Sequence, residues 1–197
     1  MNSALKNRFF IALLPSPEVQ QLATKIKNDF AEIYNSKAAL KSPPHVTLQP
    51  PFTWELKDLP LLKESLKVLA RQYGSIPIVL DGFAVFAPRV IYIKVQRTPE
   101  LLGLQKALEI SLEKDFGIRN MSSKSRCFCP HMTVGFRDLT VDNFHKAWAE
   151  YQYKPFAFEF NVNALTLLQH DGTRWQSEDN YSFSVDSIGL SSKTIPS

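Results

Sequence analysis

The chain has almost nothing with which to crosslink itself: its two cysteines, Cys127 and Cys129, stand one residue apart. Positions that close seldom form an unstrained disulfide, so the expected setting is the reducing cytoplasm. No apolar run approaches the ~20 residues that span a bilayer. The apolar stretch from Phe9 to Leu14 is short and lacks the long central region of a secretory signal. No membrane partner is therefore expected. Glycine is scarce, 7 in 197 residues, and with 44% hydrophobic residues the composition excludes a disordered or low-complexity chain. The chain also lacks any block of about five like charges. A net charge of +4 favours an anionic ligand, but it is too small to coat a DNA duplex. A phosphate-bearing nucleotide or an RNA end fits better, bound by a monomer.

What the chain does have is one short pattern twice. Pro44-His45-Val46-Thr47-Leu48 and Pro130-His131-Met132-Thr133-Val134 each place a histidine and a threonine two residues apart. On a strand, residues i and i+2 point the same way, so each motif presents an imidazole and a hydroxyl on one face. Side by side, two such strands would bring two imidazoles and two hydroxyls to one pocket. That set suits acid–base chemistry on a phosphate.

The motifs sit at matching points of a repeat. Asn7 to Leu14 reads as a strand, followed by a helix opened by Ser16-Pro17-Glu18. Its apolar positions are Val19, Leu22, Ala23, Ile26, Phe30 and Ile33. A polar loop leads to the first motif, whose strand is expected to break at Pro50-Pro51. A helix from about Pro60 to Tyr73 and a strand from Ile76 to Phe86 complete the first half. The second half runs strand (Arg89 to Gln96), helix capped by Thr98-Pro99-Glu100, polar loop and second motif. A helix from near Thr140, a strand from Pro155 to Val162 and a hairpin turning at Asp171-Gly172 come next. The order predicts an internal duplication within one domain, 1–197, with lobes of about 1–87 and 88–186 and a flexible tail, 187–197. A pseudo-two-fold axis between lobes would set the two motifs face to face across a cleft.

With those residues in view, the sequence resembles the two-histidine (2H) phosphoesterase superfamily, and within it the bacterial 2′-5′ RNA ligase and cyclic phosphodiesterase branch. The resemblance covers roughly Arg8 to Gln176. It implies an α+β fold of two pseudo-symmetric lobes, each an antiparallel sheet with outer helices, around a central cleft. It implies hydrolysis of 2′,3′-cyclic or related phosphodiesters, in some members reversible 2′-5′ joining of RNA ends, and no metal or other cofactor. Where some RNA-acting members carry a basic residue soon after the second motif, this chain has Gly135-Phe136 before Arg137.

His45 and His131 are thus the candidate catalytic pair, since imidazole titrates near ~6.5 and serves as acid or base at neutral pH. Water activation is assigned to His131 and leaving-group protonation to His45. Thr47 and Thr133 are the candidates to hold the non-bridging phosphate oxygens. Phe10 and Tyr92 are candidates to stack on a base. Arg126, with Lys124 and Arg119 behind it, is a candidate to contact or steer the phosphate. His145 and His170 are placed outside the site, both at the surface. Cys127, Cys129 and His131 would share a strand face, but two thiols and one imidazole without a further Cys/His cluster are a poor zinc set. A non-catalytic nucleotide- or RNA-binding module on the same fold is the alternative, and a metal-dependent hydrolase a more distant one.

Overall fold

A computed structural model describes residues 5–120 and 127–184. The candidate Arg126, its neighbour Lys124 and the 187–197 tail lie outside the described residues. Eight strands form two antiparallel four-stranded sheets. The first comprises β1 (Lys6–Leu13), β2 (Val46–Glu55), β7 (Ala164–His170) and β8 (Trp175–Ser182), in the order β2-β1-β7-β8. The second comprises β3 (Ile76–Phe86), β4 (Val90–Val95), β5 (His131–Gly135) and β6 (Ala157–Val162), in the order β5-β4-β3-β6. Four helices cover them: α1 (Pro17–Ile33), α2 (Leu59–Ala70), α3 (Pro99–Phe116) and α4 (Val141–Tyr151). The α+β architecture of two sheets with outer helices is as expected.

Sheet membership does not follow the expected division at residue 87. β3, from the first half, lies between β4 and β6, while β7 and β8 return to complete the sheet of β1. Short antiparallel connections, β3 to β4 and β7 to β8, make these pairings the local ones. The helices exchange as well: α1 packs on β5, and α3 packs on β2 as well as β3. Each motif strand is therefore braced by the helix preceding the other motif.

Alternation along the strands separates the two faces. Val46, Leu48, Met132 and Val134 are buried in the main core, while His45, Thr47, His131 and Thr133 are half-buried on the other side. The core gathers Phe9, Ile11 and Leu13 of β1, Ile91 and Ile93 of β4, and the apolar stripes of the helices. In α3 that stripe is Leu101, Leu104, Leu108 and Leu112, at helical spacing. In α1 it is Val19, Ala23, Lys27 and Phe30, whereas Leu22 and Ile33, both expected on this stripe, are 36% and 64% exposed.

The caps differ between the two halves. The Thr98 hydroxyl accepts from Leu101 N–H at 3.3 Å, and Thr140 accepts from Asn143 N–H at 3.2 Å. Ser16 occupies the equivalent place on α1 without a side-chain cap. The expected strand break at Pro50-Pro51 is absent, because β2 is an edge strand. Its prolines fall in a register irregularity, between the pairs Phe9–Phe52 and Ile11–Gln49, where no ladder donor is needed. The terminal hairpin forms as expected, but its second strand runs on to Ser182.

Candidate active site

Each motif strand carries a bulge directly after its threonine. Ala12 pairs with Thr47 and Ile11 with Gln49, so Leu48 is the extra residue. Tyr92 pairs with Thr133 and Ile91 with Gly135, so Val134 is the extra residue. A bulge bends the strand and re-aims the side chains beyond it. Leu48 and Gln49 are both buried, as are Val134 and Gly135, so the open face ends at the threonine in both strands. Gly135 also lets α1 come close: a β-carbon there would lie 2.5 Å from Phe30 Cδ1.

The histidines precede these bulges by a matching geometry. His45 Nδ1 lies 2.7 Å from the Pro43 carbonyl oxygen, and His131 Nδ1 lies 2.8 Å from that of Cys129. A carbonyl only accepts, so Nδ1 carries the proton and Nε2 is the nitrogen left for a ligand. Each ring also lies on an aromatic side chain of the adjacent strand. Phe10 of β1 is 4.7 Å from His45, and Tyr92 of β4 is 5.1 Å from His131. Phe10 and Tyr92 are only 2% and 6% exposed, which places them beneath the imidazoles.

Burial pushes the His45 imidazole down to about 4, helped by the nearby Lys27 charge and by that of His131, and opposed by the bond to Pro43. His131 is lowered too, by burial, against its bond to Cys129. Both rings are therefore neutral at pH 7 in the free protein. The two motif strands, β2 and β5, lie in contact with each other.

A cavity of about 810 Å³ opens beside His131, lined among others by Thr47, His131, Phe86, Phe128, Arg97 and Gln105, while His45 and Thr133 are not among its lining residues. Its volume suits a nucleotide-sized ligand. Phe86 meets His131 edge-on at 5.0 Å and is 41% exposed, so one aromatic surface is left for a bound group. Cys127 and Cys129, both free and exposed, line the same cavity. Among the described residues, no three His, Cys, Asp or Glu side chains gather as a metal site.

The other two histidines stand apart from this cavity. His145 is exposed on α4. His170, expected at the surface, is half-buried; its ring packs edge-on against Trp175 at 4.9 Å and its Nδ1 accepts from Gly172 N–H. Trp175 in turn meets Phe10 at 4.7 Å, so an aromatic row runs from His170 to His45. Trp175, Phe86 and Lys27 went unread in the sequence. For Lys27 there was a signal: a lysine on the apolar stripe of α1, between Ala23 and Phe30. Arg119 pairs with Glu113 at 3.0 Å.

The sequence pattern of the 2′-5′ RNA ligase superfamily matches residues 9–174, spanning both motifs. The chain belongs to this superfamily. Among curated relatives of this 2H phosphoesterase group, a protein of Geobacillus sp. (strain WCH70), provisionally named a phosphoesterase, is 29% identical over 163 residues, covering 82% of this chain and 87% of that one. The crystal structure of TT0787 of Thermus thermophilus superposes with a TM-score of 0.65 at 18% identity, over 91% of this chain and 99% of that one. Escherichia coli LigT, crystallised with 3′-AMP, gives 0.63 at 19% identity, again over 91% and 99%. The two structures share the fold of this 2′-5′ RNA ligase superfamily member, two antiparallel sheets with helices outside. No helix among the described residues is long and apolar enough to cross a membrane.

Proposed function

We propose that the protein is a metal-independent phosphoesterase that hydrolyses a 2′,3′-cyclic or 2′-5′ phosphodiester of RNA ends or nucleotides, with reversible 2′-5′ joining within reach of the same chemistry. The observation that carries this reading is the matched pair of imidazoles, each held through Nδ1 and each leaving Nε2 free. In the hydrolytic direction, Nε2 of His131 takes a proton from water as its oxygen attacks phosphorus. Nε2 of His45, protonated when the anionic substrate is bound, gives its proton to the departing ribose oxygen. In the joining direction the two roles exchange. The hydroxyls of Thr47 and Thr133 donate to the non-bridging oxygens, where negative charge builds as phosphorus becomes five-coordinate.

An anionic phosphodiester between the rings favours the imidazolium form, which offsets the burial that keeps His45 neutral in the free protein. Phe10 and Tyr92 serve by fixing the ring planes. Phe86 is the better placed aromatic for a base, being exposed on the cavity. The nucleotide bound by LigT, 3′-AMP, supports a nucleotide-class substrate here. The free thiols of Cys127 and Cys129 support a reducing compartment.

The test is a panel of 2′,3′-cyclic nucleotides and 2′-5′-linked oligonucleotides, with the product identified as a 2′- or 3′-phosphate and with a chelator added in parallel. Turnover that survives the chelator and disappears in His45→Ala and His131→Ala is expected. Nucleotide binding without turnover of any member would instead assign a binding module, and loss with the chelator a metal-dependent hydrolase.

A further inference from the structure

Lys27, on the buried stripe of α1, lines a second, smaller cavity. Lys27 is 1% exposed, and its Nζ donates one hydrogen bond, to the Ser42 carbonyl at 3.1 Å. An ammonium has three N–H donors, so two remain to be matched. The cavity holds about 220 Å³ and is lined by Lys27, Lys41 and Arg174, with Thr24, Trp175 and the Pro43-Pro44 turn among the remaining walls. No carboxylate is among its lining residues. A buried cation without a counter-ion is costly unless it is paired or neutralised, and burial indeed draws Lys27 down to about 7.

We propose that this cavity is a second oxyanion site, which takes one phosphate group and is distinct from the two-histidine cleft. The chemistry of its walls fixes the ligand class. Lys27 supplies unspent donors at the base, Lys41 and Arg174 supply charge at the exposed rim, and the Thr24 hydroxyl is a further donor. Arginine and lysine together give the fork and point-charge contacts that phosphate oxygens accept. The volume is below the usual range for a whole nucleotide, and suits a single phosphate. The site shares a wall with the catalytic histidine, because Pro43, which lines it, is the residue whose carbonyl holds His45 Nδ1. The phosphate is either free in solution or a further phosphate of an RNA substrate whose scissile group lies in the cleft.

Calorimetric titration with inorganic phosphate, at low ionic strength, separates the two sites without relying on turnover. The wild type, Lys41→Ala/Arg174→Ala and Thr47→Val/Thr133→Val would each be titrated. For a free-phosphate site, the wild type binds two phosphates, and each double variant binds one. Lys27→Met, which keeps the stripe of α1 apolar, loses the same site as Lys41→Ala/Arg174→Ala. For a substrate-borne phosphate, the expected effect is on kcat/KM: Lys41→Ala/Arg174→Ala loses about tenfold or more on a substrate with one additional phosphate and nothing on a cyclic mononucleotide. Lys41→Ala/Arg174→Ala and Lys27→Met that both bind phosphate as the wild type does, and turn over both substrates at its rate, would overturn the proposal.

Discussion

His45 and His131 are held by the same hydrogen bond: each gives its Nδ1 proton to the carbonyl two residues before it, at 2.7 and 2.8 Å. The clamp fixes one tautomer in both rings, so the pair enters a reaction with two equivalent Nε2 atoms. In the proposed mechanism, loss of either ring removes one half of a coupled proton transfer. We expect His45→Ala and His131→Ala each to lower kcat by about 10²–10⁴-fold, with KM changed far less. Steady-state kinetics on a 2′,3′-cyclic nucleotide checks this, and a variant that keeps the wild-type rate would remove its histidine from the chemistry.

The threonines are asked for less. Thr47→Val and Thr133→Val keep the shape of the strand and delete only the hydroxyl proposed to meet the phosphate oxygens. Each should reduce kcat by up to about 10²–10³-fold, the range found for single oxyanion donors. A change in KM alone would place that threonine in ground-state binding.

Stability should depend on pH through His45. Its imidazole is held near 4 in the folded chain, against 6.5 as the ordinary value, chiefly by burial. Between those values the unfolded chain takes up a proton that the folded chain refuses. The contribution is therefore fully present above about pH 6.5 and is lost as pH falls towards 4. His131 acts in the same direction. Thermal unfolding of the wild type should fall more steeply than that of His45→Gln across this window; parallel curves would show that His45 ionises freely in the fold.

Gly135 is where α1 meets the second motif strand. A methyl group there would stand 2.5 Å from Phe30 Cδ1, a contact no packing tolerates. Gly135→Ala should cost about 1–3 kcal/mol in denaturant unfolding, as overpacking does. Adding Phe30→Leu should recover part of the loss.

Asp138 ties the turn after α1 to the segment after the second motif. Its carboxylate accepts from Ser36 Oγ at 2.9 Å, Lys37 N–H at 2.8 Å and Ala38 N–H at 2.9 Å. Asp138→Ala leaves the fully buried Ser36 hydroxyl with only its long 3.5 Å bond to the Phe136 carbonyl, and should cost about 1–3 kcal/mol. Faster hydrogen exchange at the Lys37 and Ala38 amides, with the rest of the chain unchanged, is the local signature.

Most of the elements were legible because their signals are local. The apolar period of α3, the Thr98 and Thr140 caps and the alternation around His131 each lie within a few residues. The exchange of β3 and of β7–β8 between sheets was not, because strand partners are chosen by tertiary packing. The prolines at 50 and 51 misled for the same reason: they break a central strand, and only the sheet order shows that β2 is an edge. At the site, the histidines and threonines were visible as a repeated motif, whereas the Nδ1 clamps come from backbone carbonyls that have no side-chain letter. Trp175 reaches the His45 ring through Phe10 from a strand far along the chain, a contact no spacing rule announces.

The exchange of strands and helices has a consequence for how the molecule can be divided. A fragment ending near residue 87 would hold β1 and β2 without their neighbour β7, and β3 without its neighbour β4. The complementary fragment would keep β7 and β8 with no β1 to join. Neither piece holds a complete sheet, so a cut at residue 87 divides both sheets rather than separating two modules. Mixed with its complement, each fragment offers the open edges the other requires.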